Sequence, residues 1–407
     1  MATATPTHVA TAAPPAARPT AGLVLLLGAL TAFGAMSIDL YLPSLPSMGR
    51  ALHASPGAVG ATLSAFLAGM GMGQLVHGPL SDRIGRRPPL LGGIALYVLA
   101  SIVAARAPGI AVLIGARFVQ GLGGCAALVV SRAVVRDRFP THETARVFSL
   151  LTLVLGVAPV LAPLAGSGLL AAFGWRAIFW ALTLFGVIAF GAVWRGLVET
   201  RSAAARAAAR THHPARVYWR LLRLPRLQGH LLAMAFSGAS LFVYVASSST
   251  LFIGDFGLSP VQFSALFASN AIAFIGAAQL NRVLLRRATP GKIASTALLA
   301  ALATGVGFAL AAWGPGAGLW NSYIFASLTM ATYGFAQANL TAETLAVDPG
   351  HAGSVAALAG TASFAVGAVA ATVATAMHDG TARPPATVIA ACASIAAAAY
   401  FGLARRR

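Results

Sequence analysis

Gly78-Pro79-Leu80-Ser81-Asp82-Arg83-Ile84-Gly85-Arg86-Arg87-Pro88 separates two long apolar runs, residues 62–77 and 90–105. A polar connection this short folds its flanking helices back antiparallel. Three of its residues are arginines, and cations in short loops stay on the cytoplasmic side of a membrane. The stretch therefore predicts a hairpin that marks the inner face.

Composition outside the hairpin agrees with a membrane chain. Of 407 residues 58% are hydrophobic and 9% charged, against about a quarter charged in a soluble domain. The apolar runs are near 20 residues long and lack strand alternation, which predicts an all-α, multi-spanning protein. The net charge of +19 suggests nucleic acid in a soluble protein. Here the cations lie between apolar runs with no aromatic-laced basic stripe, so nucleic acid is excluded and anionic lipid is the expected contact. Cys125 and Cys392 lie inside apolar runs and read as core residues, not as a disulfide or metal pair. There is no phosphate-binding loop and no nucleophile–base or metal-ligand cluster, so the expectation is no enzyme and no metal.

Twelve runs long enough to span are found. They are 22–42, 59–77, 90–105, 110–130, 148–170 and 177–197, then 227–250, 262–280, 293–313, 319–340, 352–377 and 386–404. Residues 1–21 read as a disordered tail, rich in Ala, Thr and Pro. The basic linker 199–226, with seven arginines between Arg201 and Arg226, divides the halves 22–198 and 227–407; its Ala/Arg periodicity suggests a surface helix.

Arginine counting orients the chain. One side receives Arg18, the opening hairpin, Arg132, Arg136, Arg138, Arg146, the linker, Arg282, Arg286, Arg287, Lys292 and Arg405–Arg407. The other receives only Arg50, Arg106, Arg176 and Arg383. Both termini are expected in the cytoplasm. Arg282–Arg287 with Pro290-Gly291-Lys292 echoes the opening hairpin in the second half, without its acid; two six-span halves match a parallel-repeat transporter plan.

Several motifs resemble the major facilitator superfamily, and within it the Bcr/CflA-type drug-resistance exporters. The hairpin reads G-x-L-S-D-R-x-G-R-R. Ser37-Ile38-Asp39-Leu40-Tyr41-Leu42-Pro43-Ser44-Leu45-Pro46 is similar to the branch's first-span segment, and Arg117-Phe118-Val119-Gln120-Gly121 to its R-x-x-Q-G. Residues 156–166, with Gly156, Pro159, Pro163 and Gly166, resemble the antiporter motif in its A-P-x-x-A-P form. The second half agrees more loosely, and Ala338 and Ser249 depart from the branch's usual residues. The resemblance implies two six-helix bundles and alternating access around a central cavity. It implies drug export in exchange for protons, no cofactor beyond the proton gradient, a monomer, and a bacterial inner-membrane location. An exporter of an endogenous metabolite such as an amino acid or peptide, or a transporter-derived membrane sensor, is the alternative.

Asp39 and Arg117 are the deepest ionisable residues of the first half. At 1.5 Å per residue Asp39 lies ~25 Å along the first span and Arg117 ~10 Å from the outer end of the fourth. Similar depth makes them partners by expectation, either as a proton-coupling pair or as a static ion pair. Gln120, one turn from Arg117, and Tyr41, Asn270 and Asn339 are expected at the substrate cavity. Gly78, Asp82, Arg83, Gly85 and Arg86 are expected to form a gate. Asp82 would tie the halves shut at the start of span 11 or through Arg132 or Arg136. Gly156, Pro159, Pro163 and Gly166 are bend-and-pack residues, and the resemblance implies that their span seals the halves.

Overall fold

The computed structural model describes residues 21–139, 141–211, 214–315 and 317–405. The expected tail, as far as residue 20, and Arg406 and Arg407 lie outside them. Helices make up the fold, with no strand among the described residues.

In the first half, span 1 is assembled from Ala21–Thr31, Phe33–Asp39 and Leu45–Ala51. Spans 2 to 6 are Pro56–Ile84, Arg87–Ala105, Ile110–Arg138, Thr141–Phe173 and Arg176–Gly196. In the second half, span 7 is Pro225–Ser249, continued by a wider π turn, Thr250–Asp255. Spans 8 to 11 are Pro260–Leu284, Pro290–Trp313, Leu319–Ala346 and Ala352–Ala376. Span 12 is Arg383–Ala399, continued by the π turn Tyr400–Ala404. Several starts are explicit in the sequence. Ser55, Ser259 and Thr289 each stand before a proline, and each side chain accepts from a backbone N–H in the first turn.

Ten of these helices are individually long and apolar enough to cross a membrane, and the bent span 1 makes eleven. Span 10 has the length, 28 residues, but Asn321, Ser322, Gln337 and Asn339 dilute its apolar character. Several helices outrun their apolar runs. Span 2 has 29 residues and span 5 has 33, so at 1.5 Å per residue they exceed a hydrocarbon core of about 30 Å. Hydropathy marks only the lipid-immersed part of a helix, whereas its backbone hydrogen bonds run on into the polar zone. The opening hairpin is corrected accordingly: Gly78–Ile84 is the last two turns of span 2, and the turn itself is Gly85-Arg86.

Span 1 bends by 45° at Ala32, between Gly22–Thr31 and Phe33–Ala51. Further along, Pro43 and Pro46 lack the N–H groups that a continuous α-helix needs, and the chain passes through the short 3-10 turn Leu42–Ser44. The expected linker surface helix is two helices, Ala203–Thr211 and Pro214–Leu222.

One apolar core fills the first half and the Arg-poor end of the second, through Phe66, Tyr97, Phe179, Phe252 and Phe263. A second, with Leu231, Leu298, Leu340 and Tyr400, fills the Arg-rich end of the second half. The halves meet along spans 2 and 11 and along spans 5 and 8. Their contacts concentrate from the Arg-poor end to just past the midplane. A Cβ on Gly60 would stand 2.6 Å from Thr375 Cβ. Ser167 and Ser264 share a 2.5 Å hydrogen bond. Thr361 donates to the Gly71 carbonyl at 3.1 Å.

Large apolar side chains such as Leu99, Leu184, Ile188, Leu310 and Val369 face outward, as lipid contact requires. Five of the six tryptophans stack with an arginine near a helix end: Trp194 with Arg87, Trp180 with Arg106, Trp175 with Arg176, Trp219 with Arg223 and Trp313 with Arg383. These pairs form an aromatic belt at both faces.

Candidate functional site

The break in span 1 sets the site. Its second helical piece ends at Asp39, so the Ser37 carbonyl is free of the next turn, and Arg117 Nη2 donates to it at 2.9 Å. Arg117 Nη1 donates to Gln120 Oε1 at 2.5 Å, and Gln120 Nε2 donates to Ser101 Oγ at 2.7 Å. The guanidinium lies 4.3 Å from the Tyr41 ring centre and 4.4 Å from that of Phe66. Ser37 Oγ shares a 2.7 Å hydrogen bond with the Tyr97 hydroxyl. Arg117, Gln120 and Tyr41 are each 0% exposed. Together they rivet spans 1, 2, 3 and 4 inside the first bundle, away from any cavity wall.

This arrangement changes the expected Asp39–Arg117 pair: Arg117 is engaged elsewhere and makes no ion pair with Asp39. Residues two apart on a helix do not share a face, so an arginine anchored at Ser37 is poorly placed for the Asp39 side chain. Asp39 is 6% exposed, and among the described residues no hydrogen bond or ion pair is made to its carboxyl group. It lies close enough to Tyr244, on span 7 of the other half, for their charges to interact. The turn Leu42–Ser44 that follows packs against the same span.

On the second-half side the polar groups are neutral. Asn270 Nδ2 donates to the Tyr244 hydroxyl at 2.6 Å, and Ser327 Oγ donates to Asn270 Oδ1 at 2.5 Å. Ser269 Oγ and the Tyr323 hydroxyl are 2.9 Å apart. Asn339 Nδ2 donates to Asn281 Oδ1 and to the Phe335 carbonyl, both at 2.7 Å. Asn270 and Asn339 are buried in these helix-to-helix bonds, so the structure places neither on an open cavity surface.

The helix that carries residues 156–166 makes close contacts at its glycines. Pro159 and Pro163 lie inside span 5. Gly156 faces Ile275 of span 8, and Gly166 lies so close to the Leu40 carbonyl that no Cβ fits. The Pro163 carbonyl accepts from Ser264 at 2.9 Å. Span 5 thus touches both the partner half and the residue next to Asp39.

The expected gate is built differently. Asp82 Oδ1 accepts from Arg86 Nη1 at 2.8 Å and lies 3.2 Å from Arg201 Nη1 of the linker. These partners replace the expected Arg132, Arg136 or start of span 11, and the contacts stay within the first half and the linker. Arg86, 4% exposed, also donates through Nε to Asp137 Oδ2 at 2.7 Å, at the end of span 4. Gly85 turns with φ 104°, and a Cβ there would stand 2.7 Å from Glu199 Cδ. The Arg83 carbonyl accepts from Arg210 Nε at 3.4 Å. Gly78 has open space around it.

Glu199, unnoticed in the sequence, closes the turn. It accepts from the backbone N–H groups of Arg86 at 2.8 Å, Arg201 at 3.0 Å and Arg87 at 3.1 Å. Burial alone raises its pKa, but these donors outweigh burial and hold the carboxyl below its usual range. A signal was available: the chain has nine acidic residues in all, so an acid beside an arginine-rich turn is a short search. Tyr244 and Ser327 left no comparable signal among many hydroxyl residues.

Comparison with known proteins fits this geometry. A family model described as Major Facilitator Superfamily matches residues 25–371. The chain is similar to the bicyclomycin resistance protein homolog of Haemophilus influenzae, 32% identical over 94% of this chain and 96% of that protein. It is also similar to a chloramphenicol resistance protein of Pseudomonas aeruginosa, 36% identical over 66% of this chain and 64% of that one. Among solved structures, a D-xylose-proton symporter superposes with a TM-score of 0.71 at 13% identity, covering 92% of this chain and 95% of that one.

Proposed function

For this chain, which belongs to the major facilitator superfamily, we propose export of small drug-like compounds in exchange for protons across a bacterial inner membrane. The observation that carries the compound class is the full-length similarity to the bicyclomycin resistance homolog, supported by the chloramphenicol resistance relative.

Proton coupling is assigned to Asp39. A carboxylate at membrane depth is costly unless it is paired or titrates, and Asp39 is buried without a partner. It stands where the halves meet, so a change in their separation changes its hydration and hence its proton affinity. Arg117 acts through the backbone it holds, fixing the break that presents Asp39. The second-half network of Tyr244, Asn270 and Ser327 is buried and holds spans 7, 8 and 10 to one another behind the compound site.

The arginine-rich face is the cytoplasmic one in this reading, with both termini inside and the chain acting as a monomer. The contacts near Gly60 and Ser167 then close the outer side. Asp82 and Arg86 brace spans 2 to 4 against the linker.

The test is efflux from proteoliposomes of chloramphenicol, bicyclomycin and a panel of amino acids and peptides. The wild type should move one of the antibiotics uphill when a pH gradient is imposed. Asp39→Asn should bind but lose pH-driven movement by at least about a hundredfold. Uphill movement of amino acids or peptides alone overturns the drug assignment. An active Asp39→Asn overturns the coupling role.

A further inference from the structure

We propose that protons reach Asp39 from the Arg-poor face through a file of water-sized voids along span 7, separate from the route of the exported compound. The proposal rests on the reading of Asp39 as the proton carrier.

The file begins in a cleft of about 560 Å³ on the Arg-poor face. Arg50 and His53 line it from the first half, and Thr250, Asp255 and His378 from the second. His378 Nε2 lies 3.4 Å from Asp255 Oδ1, and Asp255 Oδ2 is buried without a partner. Asp379 stands close enough to interact with Asp255. A void of about 10 Å³ shares Pro56, Thr250 and His378 with the cleft and adds Ser247 and Thr375. A third void of the same size shares Ser247 and Leu251 with the second and adds Tyr244, Ser248 and Ser322. About 10 Å³ is the room that a single water requires.

Ser247 is the joint. It lines both voids, and its hydroxyl is buried without a partner. A buried hydroxyl is normally satisfied, and a water in either void would satisfy this one. At the inner end the Tyr244 hydroxyl accepts from Asn270, which leaves its own proton free to donate. Asp39 lies within electrostatic reach of that hydroxyl. Each relay group accepts one proton and releases one, which conserves protons along the file, and its O–H then rotates back before the next transfer. The same face is closed to solutes by the Gly60–Thr375 and Ser167–Ser264 contacts. A proton can therefore pass where the exported compound cannot.

Charge displacement on a solid-supported membrane tests this without any substrate. Vesicles with the Arg-poor face outward receive an external pH jump, and the current transient is recorded. The wild type should give a transient that Asp39→Asn abolishes. Ser247→Val, which removes the hydroxyl and fills the joint, should slow its decay about tenfold while keeping the total charge. Ser247→Thr, which keeps a hydroxyl, should stay within about twofold of wild type. If Ser247→Val loses the total charge as well, Thr250→Val, three residues along span 7 and lining both the cleft and the first void, decides: slowed decay supports the file and wild-type decay overturns it. Wild-type decay in Ser247→Val, with the transient still dependent on Asp39, overturns the file and leaves the carrier role standing. A transient that survives Asp39→Asn overturns both.

Discussion

The two halves hold their Arg-rich ends together with different chemistry. In the first, Arg86 joins Asp82 and Asp137, and Glu199 crosses over from the linker to cap the start of span 3. In the second, the turn before span 9 carries Arg286 and Arg287 with no acid of its own. There Glu343, from the end of span 10, lies over Gly291 at the start of span 9 and accepts a 2.6 Å bond from the Tyr400 hydroxyl. Asp137 and Glu343 both come from the final turns of the fourth helix of their half. At the turn before the third helix of each half the same task is done by a charged hub in one half and by a carboxylate with a phenol in the other; Asp348 adds a separate contact to Arg220 of the linker at 3.6 Å.

The bundle interiors repeat the contrast. The first half buries a guanidinium among a carbonyl, an amide and two rings. The network of the second half at Tyr244, Asn270, Ser327, Asn281 and Asn339 is made of amides and hydroxyls. A desolvated charge needs fixed partners, so the first half is built for one geometry. Neutral amides and hydroxyls can exchange partners, so the second half is less bound to one geometry.

The largest effect should come from the buried charge. Arg117→Ala strands the Ser37 carbonyl, Gln120 and the ring cage, and should cost about 3–5 kcal/mol. Asn270→Ala should cost only about 1–3 kcal/mol. Thermal unfolding in detergent should rank them so, and Arg117→Lys should not restore stability, since lysine lacks the planar fork. Equal losses at the two sites would break the contrast between interiors.

Smaller effects are expected at the turns. Arg86→Ala should cost about 2–3 kcal/mol, because it leaves two carboxylates without their shared donor. Tyr400→Phe, which removes one hydrogen bond to Glu343, should cost about 1 kcal/mol. If Tyr400→Phe proves the more damaging, the charged hub is not the stronger clasp.

The smallest effect is a pH dependence at Glu199. Its folded pKa lies below the unfolded value. The stabilisation is therefore complete above the usual carboxylate pKa and is lost as pH falls through the folded value. Melting temperatures of wild type and Glu199→Gln should differ near neutrality and converge on acidification. A difference that holds constant down to the lowest pH would show that Glu199 acts by shape alone.

The sequence by itself determined the class and the family. Lipid forces each span to satisfy its own backbone, so a long apolar run is already a helix. Residue motifs such as the A-P-x-x-A-P segment also act locally, by removing N–H groups or side chains, and span 5 packs as its glycines and prolines suggest. Partners were a tertiary matter. Depth along a helix placed Asp39 and Arg117 at one height, but it carries no information on facing. Only the packed bundle showed that Arg117 turns to Ser37 and leaves Asp39 alone. Only the packed bundle, likewise, brought Glu199 to the turn at Gly85, 114 residues earlier in the chain. A side chain's direction depends on the rotation of its helix and on the neighbours that pack against it, and those are fixed by contacts between distant segments.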